Sequence, residues 1–190
     1  MNTKLKWHKR FVLKLLWGVF LILSYTPRFF KYYILKPFIA TILILSRYRR
    51  KVIKQNLFNS FPEKSTNEIK DIILRNYLFL AEVIVDTINL VGANEKRKDR
   101  VAVWVNSEEI NQKLDGKDWI AMGAHYGCWE YLFLWSRQLK SSKLMGVYHP
   151  MSSEIFESFY RRLRNVSEKL VQVPMKQSML SFLRNRKNGQ

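Results

Sequence analysis

Two apolar runs, interrupted and flanked by lysine and arginine, dominate the start of the chain. The first extends from Phe11 to Tyr25 and carries Lys14, and the second extends from Phe38 to Leu45. As a helix the first run measures about 22 Å, which is less than the ~30 Å of membrane hydrocarbon. Residues 1–46 are therefore predicted to form N-terminal membrane-anchor helices that either span once or lie in the interface. A pair of core helices with a solvated basic edge is the alternative.

The pattern changes to that of a folded domain after residues 59–62. Ser65 and Glu68 have the spacing of a capping box, and apolar residues then recur at helical intervals as far as Gly92. Beyond Gly92, short apolar runs alternate with amphipathic segments. Strands are predicted at 101–105, 119–122, 144–148 and 170–173, and helices at 107–114, 129–139, 153–165 and 177–187. This alternation predicts an α/β layer fold, with residues 47–190 as one domain behind the anchor.

The charge distribution points to an anionic surface as a partner. The net charge is +18, no Asp or Glu precedes Glu63, and thirteen Lys or Arg lie between Lys4 and Lys54. A nucleic-acid-binding arm is usually basic and polar, whereas these cations alternate with apolar runs, which favours a membrane surface. No recognised nucleic-acid-binding motif is present, so no nucleic-acid partner is predicted. The dense cations between Arg47 and Lys54 favour a cytoplasmic face.

Cysteine and histidine usage excludes several site types. Cys128 is the one cysteine of the chain, so an internal disulfide and a cysteine-rich metal site are excluded. The three histidines (His8, His125 and His149) are far apart in the sequence, and no metal site is predicted.

The segment 123–130, which reads GAHYGCWE, is the strongest candidate for chemistry. It follows a predicted buried strand and begins a predicted helix, which is where ligands bind in open α/β sheets. Gly127 allows a tight turn and a close approach of backbone to substrate. His125 can act as a general base toward a hydroxyl, and Glu130 can orient and stabilise the imidazolium that forms. A core histidine with a helix-capping acid is the other interpretation of these two residues.

Three blocks of sequence resemble the lipid A (lauroyl/myristoyl) acyltransferases. The His-x-x-x-x-Glu pattern of residues 123–130 looks like that family's signature. Residues 50–57 and 60–63 resemble the segment that follows its N-terminal anchor, and residues 147–151 and 160–164 resemble its second block. The similarity extends over roughly residues 47–175, in order.

The resemblance implies a reaction and its participants. A fatty acyl chain moves from an acyl-carrier-protein thioester to a hydroxyl of a lipid A precursor, in lipopolysaccharide biosynthesis, at the cytoplasmic face of the inner membrane. His125 is implied to be the general base and Glu130 its partner. Acyl carrier protein is a partner and co-substrate, and no metal, cofactor or acyl-enzyme is implied. The residues expected to contact substrate are Arg161, Arg162, Arg164, Gly127 and Trp129.

The sequence also departs from the family's pattern. Cys128 stands where the family usually has Asn, and as a nucleophile beside His125 it is a further possibility. After Arg164 an expected arginine and glycine are absent. The resemblance also implies about another hundred residues after Gln190, so the α/β domain is expected to be incomplete at its C-terminus. Two alternatives follow: an inactive, truncated, membrane-associated remnant, and an acyltransferase of the same fold with another glycolipid or aminolipid acceptor.

Overall fold

Helices make up most of the fold, which a computed structural model describes for residues 5–93 and 101–187. Helix α1 is Trp7–Ser24, a π-helical turn over Phe30–Leu35 leads into α2 (Lys36–Leu45), and α3 is Arg50–Ser60. The longest helix, α4, is Thr66–Val91. The remaining elements are α5 (Ser107–Leu114), a 3₁₀ helix (Trp129–Arg137), β1 (Leu144–Tyr148), α6 (Glu154–Leu163), β2 (Leu170–Pro174), a 3₁₀ turn (Met175–Gln177) and α7 (Ser178–Lys187).

Helix α4 is the central support of the fold. It begins with the predicted capping box, which is confirmed: the Ser65 side chain accepts from the Glu68 backbone N–H, and the Glu68 carboxylate accepts from the Ser65 backbone N–H. Its first turns bury Ile69, Ile73 and Tyr77 against α2 and α3. Its last residues, with Leu90 among them, join a second core cluster that contains residues of the 3₁₀ helix, α6 and β2. One amphipathic helix thus connects both halves of the core.

Helix α1 packs on this second cluster through one face. Its inward residues are Leu13, Leu16, Trp17 and Phe20. The rings of Trp17 and Phe20 lie 5.4 and 5.1 Å from the ring of Phe159 on α6. At the end of α1, Gly92 leaves room for the buried Ser24, because a Cβ at Gly92 would overlap the Ser24 side chain.

The membrane-spanning anchor predicted within residues 1–46 is not supported. Among the described residues, no helix combines the length and the apolarity that crossing a bilayer requires. Helix α1 has 18 residues but contains Lys9, Arg10 and Lys14, and α2 has only 10 residues.

The sheet is smaller than predicted. In the described ranges it consists of β1 and β2, which pair in parallel with Leu144 opposite Leu170 and Tyr148 opposite Pro174. The strands predicted at 101–105 and 119–122 are wrong, since both segments lack regular ladder structure. Val103 is 82% exposed and Met122 is 95% exposed. An apolar run forms a strand only where a neighbouring strand satisfies its backbone groups, and within residues 5–93 and 101–187 neither segment pairs with one.

The helix predicted at 129–139 is a 3₁₀ helix of nine residues. Its backbone bonds include Tyr131 N–H to the Cys128 carbonyl (3.1 Å) and Gln138 N–H to the Trp135 carbonyl (2.8 Å). The tighter turn buries Glu130, Leu134 and Ser136. This helix carries one of the two predicted catalytic residues, so its geometry determines where that carboxylate points.

Candidate active site

The His125 loop lies on the exposed side of the 3₁₀ helix. Gly127 adopts a left-handed backbone conformation (φ 64°), which favours glycine and turns the chain back toward Trp129. The side chain of His125 is exposed, and its ring lies 5.2 Å from the ring of Trp129. The imidazole is therefore accessible to a substrate.

Glu130 lies in the interior and forms an ion pair with Arg164. Arg164 Nε donates to Glu130 Oε2 and its terminal nitrogen donates to Oε1, both at 2.7 Å. The Glu130 side chain is 2% exposed and that of Arg164 is 14% exposed. Two parallel charge-assisted hydrogen bonds in a nearly dry setting form one of the strongest arrangements available to these side chains.

Three aromatic rings enclose the Arg164 guanidinium. Its central carbon lies 5.1 Å from the ring centroid of Phe133, 5.3 Å from that of Tyr160 and 5.8 Å from that of Tyr148. Burial acts to lower the pKa of Arg164, but the hydrogen bonds and charge of Glu130 outweigh it and raise that pKa. Burial, followed by the charge of Glu130, raises the pKa of the Tyr160 hydroxyl. Arg164 is therefore charged, its fork is bound by Glu130, and its guanidinium lies near three aromatic rings.

The structure does not bring the expected His125–Glu130 pair together. Within residues 5–93 and 101–187, no hydrogen bond or ion pair joins the two side chains. Both Glu130 oxygens are occupied by Arg164. The reason lies in the local geometry: the 3₁₀ helix directs Glu130 inward toward α6, whereas the loop before it leaves His125 at the surface.

The other two predicted arginines lie elsewhere on α6. The guanidinium of Arg162 stacks over the Trp17 ring of α1 at 3.9 Å, so it braces the contact between the two helices. The side chain of Arg161 is exposed, and its backbone carbonyl accepts a hydrogen bond from the Gln172 amide at 3.0 Å. Arg164 alone of the three contacts a predicted catalytic residue.

A second polar cluster lies behind the loop and joins the π-helical turn, α4 and the 3₁₀ helix. The Tyr32 hydroxyl donates to Asp86 Oδ1 at 2.6 Å, and the Tyr131 hydroxyl donates to the Asp86 backbone carbonyl at 3.2 Å. One turn earlier on α4, Glu82 pairs with Lys36. Burial raises the pKa of Asp86, against the opposing hydrogen bond from Tyr32. Glu82 and Asp86 therefore connect the N-terminal helices to the base of the loop.

The whole chain matches one family. The sequence model described as bacterial lipid A biosynthesis acyltransferase matches residues 1–190. The chain belongs to this family. Membership in the lipid A acyltransferase family assigns the chain to the acyltransferases of lipid A and lipopolysaccharide biosynthesis, whose acceptors are lipid A-type glycolipids. No curated protein and no solved structure matches the chain.

Sequence reasoning on this lipid A acyltransferase family member named Glu130 and Arg164 but gave them different partners. It missed the three aromatic rings near Arg164. Tyr148 and Tyr160 lie within residues 147–151 and 160–164, which resemble the family's second block. That resemblance could have indicated both tyrosines. Phe133 had no comparable signal beyond its place on the helix that follows Glu130.

Cys128 is buried, and its thiol is difficult to ionise. Burial, followed by the charge of Asp86, raises the pKa of the Cys128 thiol to about 11. At pH 8 roughly one thousandth of such a thiol is ionised. This disfavours Cys128 as a nucleophile in this lipid A acyltransferase family member.

We expect native protein at pH 8 to resist alkylation of Cys128 by iodoacetamide, because the thiol is both inaccessible and neutral. Intact mass after timed quenching measures the reaction, and the same protein in urea is the control that should be alkylated fully. Native alkylation as fast as in urea would contradict the burial of this thiol.

Proposed function

We propose that this chain transfers a fatty acyl group from acyl carrier protein to a hydroxyl of a lipid A precursor, with His125 as general base. The observation that carries the proposal is the accessible imidazole on a glycine-turned loop, directly before a buried Glu130–Arg164 ion pair, in a member of this family. The imidazole removes the proton of the acceptor hydroxyl, and the oxygen attacks the thioester carbonyl. An ester forms, the carbon–sulfur bond breaks, and the leaving thiolate takes the proton from the imidazolium.

Glu130 supports this site in one of two ways that an experiment can separate. As a direct partner it would bind and orient the His125 ring, which requires the loop to move toward it when substrate is present. Catalytic hydrogen bonds often tighten only in the complex with substrate. As an indirect support it would fix Arg164, and with it the contact between the 3₁₀ helix and α6. The bidentate pair favours the indirect role in the substrate-free protein.

Of the three arginines predicted to contact substrate, Arg161 is the one that remains available to an anionic partner. It lies in the last turn of α6 and is exposed, whereas Arg162 and Arg164 have ring or carboxylate partners. A guanidinium pairs well with phosphate or carboxylate. The phosphates of the acceptor and the acidic surface of acyl carrier protein are therefore the partners that we assign to this end of α6. Gly127 and Trp129 would contact the substrate from the other side of the site.

The N-terminal helices favour a position on the cytoplasmic face of the inner membrane. Helices α1 and α2 carry large apolar side chains that their own core does not cover: Trp7, Phe11, Leu15, Ile22, Phe38, Ile42 and Leu45. Lysines and arginines flank these side chains, and no acid occurs before Glu63. Apolar contact plus attraction to anionic headgroups holds such helices in the interface plane.

An acyl-transfer assay tests the proposal. Purified protein is incubated with acyl-acyl carrier protein and a lipid A precursor, and the acylated product is measured by mass spectrometry. We expect transfer that is lost when either substrate is omitted. If the protein transferred the acyl group only to another glycolipid or to an aminolipid, the lipid A precursor would be the wrong acceptor. Absence of transfer to any of these, from folded protein, would support an inactive remnant and refute the proposal.

A further inference from the structure

A basic cavity lies between the α2–α3 turn, α3 and the first turns of α4. Its volume is about 390 Å³. Four cationic side chains line it: Arg47, Arg50, Lys54 and Lys70. No acidic residue lines it, and none of its residues belongs to the Glu130–Arg164 site.

The cations of this basic cavity are not neutralised by the protein. In the part of the chain that the structure describes, Arg47, Arg50 and Lys54 form no ion pair. Lys70 donates to the side-chain oxygen of Asn67 at 3.3 Å, which is a neutral partner. The nearby Glu68 is occupied by the capping box and by Lys64, whose Nζ lies 3.7 Å away. Four like charges around one concavity repel one another, so an anion bound there relieves that repulsion.

The turn that presents Arg47 and Arg50 has a strained backbone. Arg47 and Arg49 adopt left-handed conformations with φ of 51° and 49°, which side-chain-bearing residues rarely do. The turn is held by the buried Tyr77, whose hydroxyl donates to the Tyr48 carbonyl at 3.0 Å. Such strain persists only where the surrounding structure enforces it. Here it directs two arginines toward the cavity.

Apolar surface adjoins the charged rim. Ile69 and Ile73, both buried, form part of the cavity lining, together with the ring of Phe58. On the other side of the turn, Ile42 and Leu45 at the end of α2 are 50% and 76% exposed. An anion with attached hydrocarbon can therefore contact both the cationic side chains and the apolar side chains. A free inorganic anion can contact only the cationic ones.

We propose that the basic cavity binds the phosphate headgroup of an anionic membrane phospholipid, with its acyl chains against the end of α2. Arg47, Arg50, Lys54 and Lys70 bind the phosphate, and the guanidinium fork of arginine suits its oxygens. The site goes beyond the proposed acyl transfer, because it holds a lipid that is neither donor nor acceptor. It fixes the depth and the rotation of the protein at the membrane surface.

The main test is co-sedimentation of the full chain with phosphatidylcholine vesicles, with and without phosphatidylglycerol. Two double variants remove equal charge from the same segment. Arg47→Gln/Arg50→Gln removes cavity cations, whereas Arg49→Gln/Lys51→Gln removes neighbouring cations that do not line the cavity. Glutamine keeps the unbranched stem and meets the same backbone strain at positions 47 and 49. Melting temperatures verify that both variants fold.

We expect wild-type protein to prefer the anionic vesicles. Losing two diffuse surface charges should weaken binding by about thirtyfold in the matched control. The cavity variant should weaken binding by about a further tenfold. Equal losses in the two variants, or equal binding to neutral vesicles, would overturn the proposal in favour of a diffuse basic surface or of apolar contact alone.

A second measurement separates a lipid from a free anion. We expect dihexanoyl phosphatidate, below its micelle concentration, to raise the melting temperature of wild-type protein but not of the cavity variant. Inorganic phosphate at the same concentration should not do so. An equal shift with inorganic phosphate would show a simple anion site and overturn the lipid assignment. Neither measurement depends on acyl transfer, so an inactive protein gives the same readout.

Discussion

His125→Ala is expected to lower the rate of acyl transfer by ~10²–10⁴-fold while leaving the melting temperature nearly unchanged. The rate falls because a hydroxyl needs a base to become an effective nucleophile, and no other described side chain occupies the place of this imidazole. The stability holds because His125 is exposed and its ring lies beside that of the partly exposed Trp129. Turnover with acyl-acyl carrier protein and a differential melting curve provide the two measurements.

His149→Ala is the matched control for this variant. His149 is also exposed, in the loop after β1, and its ring contact is the Pro150 carbonyl at 2.9 Å. The His149→Ala variant should retain a turnover rate within about threefold of the wild-type rate. If His125→Ala were as active as His149→Ala, the general-base assignment would be wrong, whatever the family of the chain.

Local signals predicted α4 and α6 well. Both signals for α4, the capping box at Ser65 and Glu68 and the helical spacing of the apolar residues that follow, lie within one continuous segment. Helix α4 forms where they predict it. The α6 prediction succeeded for the same reason: Ser153 caps its start, acids occupy its first turn and arginines its last. Such interactions join residues only a few positions apart, so the sequence displays them directly.

Non-local interactions explain what could not be predicted. The segments 101–105 and 119–122 have the composition of strands, but a strand also needs a neighbour in register, and composition does not show one. Glu130 and Arg164 were each identified, yet their pairing joins positions 34 residues apart. Proximity in the sequence suggested His125 as the partner of Glu130. The 3₁₀ geometry of the helix that contains Glu130 determined the direction of the carboxylate instead.

Breaking the Glu130–Arg164 pair from one side is expected to destabilise the fold by ~3–5 kcal/mol, because an uncompensated charge remains in a nearly dry site. Glu130→Met leaves the guanidinium among three rings, and Arg164→Met leaves a carboxylate that is 2% exposed. The double variant Glu130→Met/Arg164→Met should recover most of the loss, since a buried ion pair can be replaced by apolar side chains at little net cost. Urea unfolding of all four proteins gives the coupling free energy.

The exposed pair of Lys113 and Glu109 is the control for this cycle, with side chains 71% and 57% exposed at a separation of 2.6 Å. Lys113→Met should change the free energy of unfolding by about 1 kcal/mol or less.

Acyl transfer by the double variant then distinguishes the two roles of Glu130. If Glu130 only fixes the contact between the 3₁₀ helix and α6, transfer should return together with stability. If Glu130 must also reach His125, the double variant should be stable but remain at least ~10²-fold slower. Single variants as stable as Lys113→Met would contradict the buried ion pair itself.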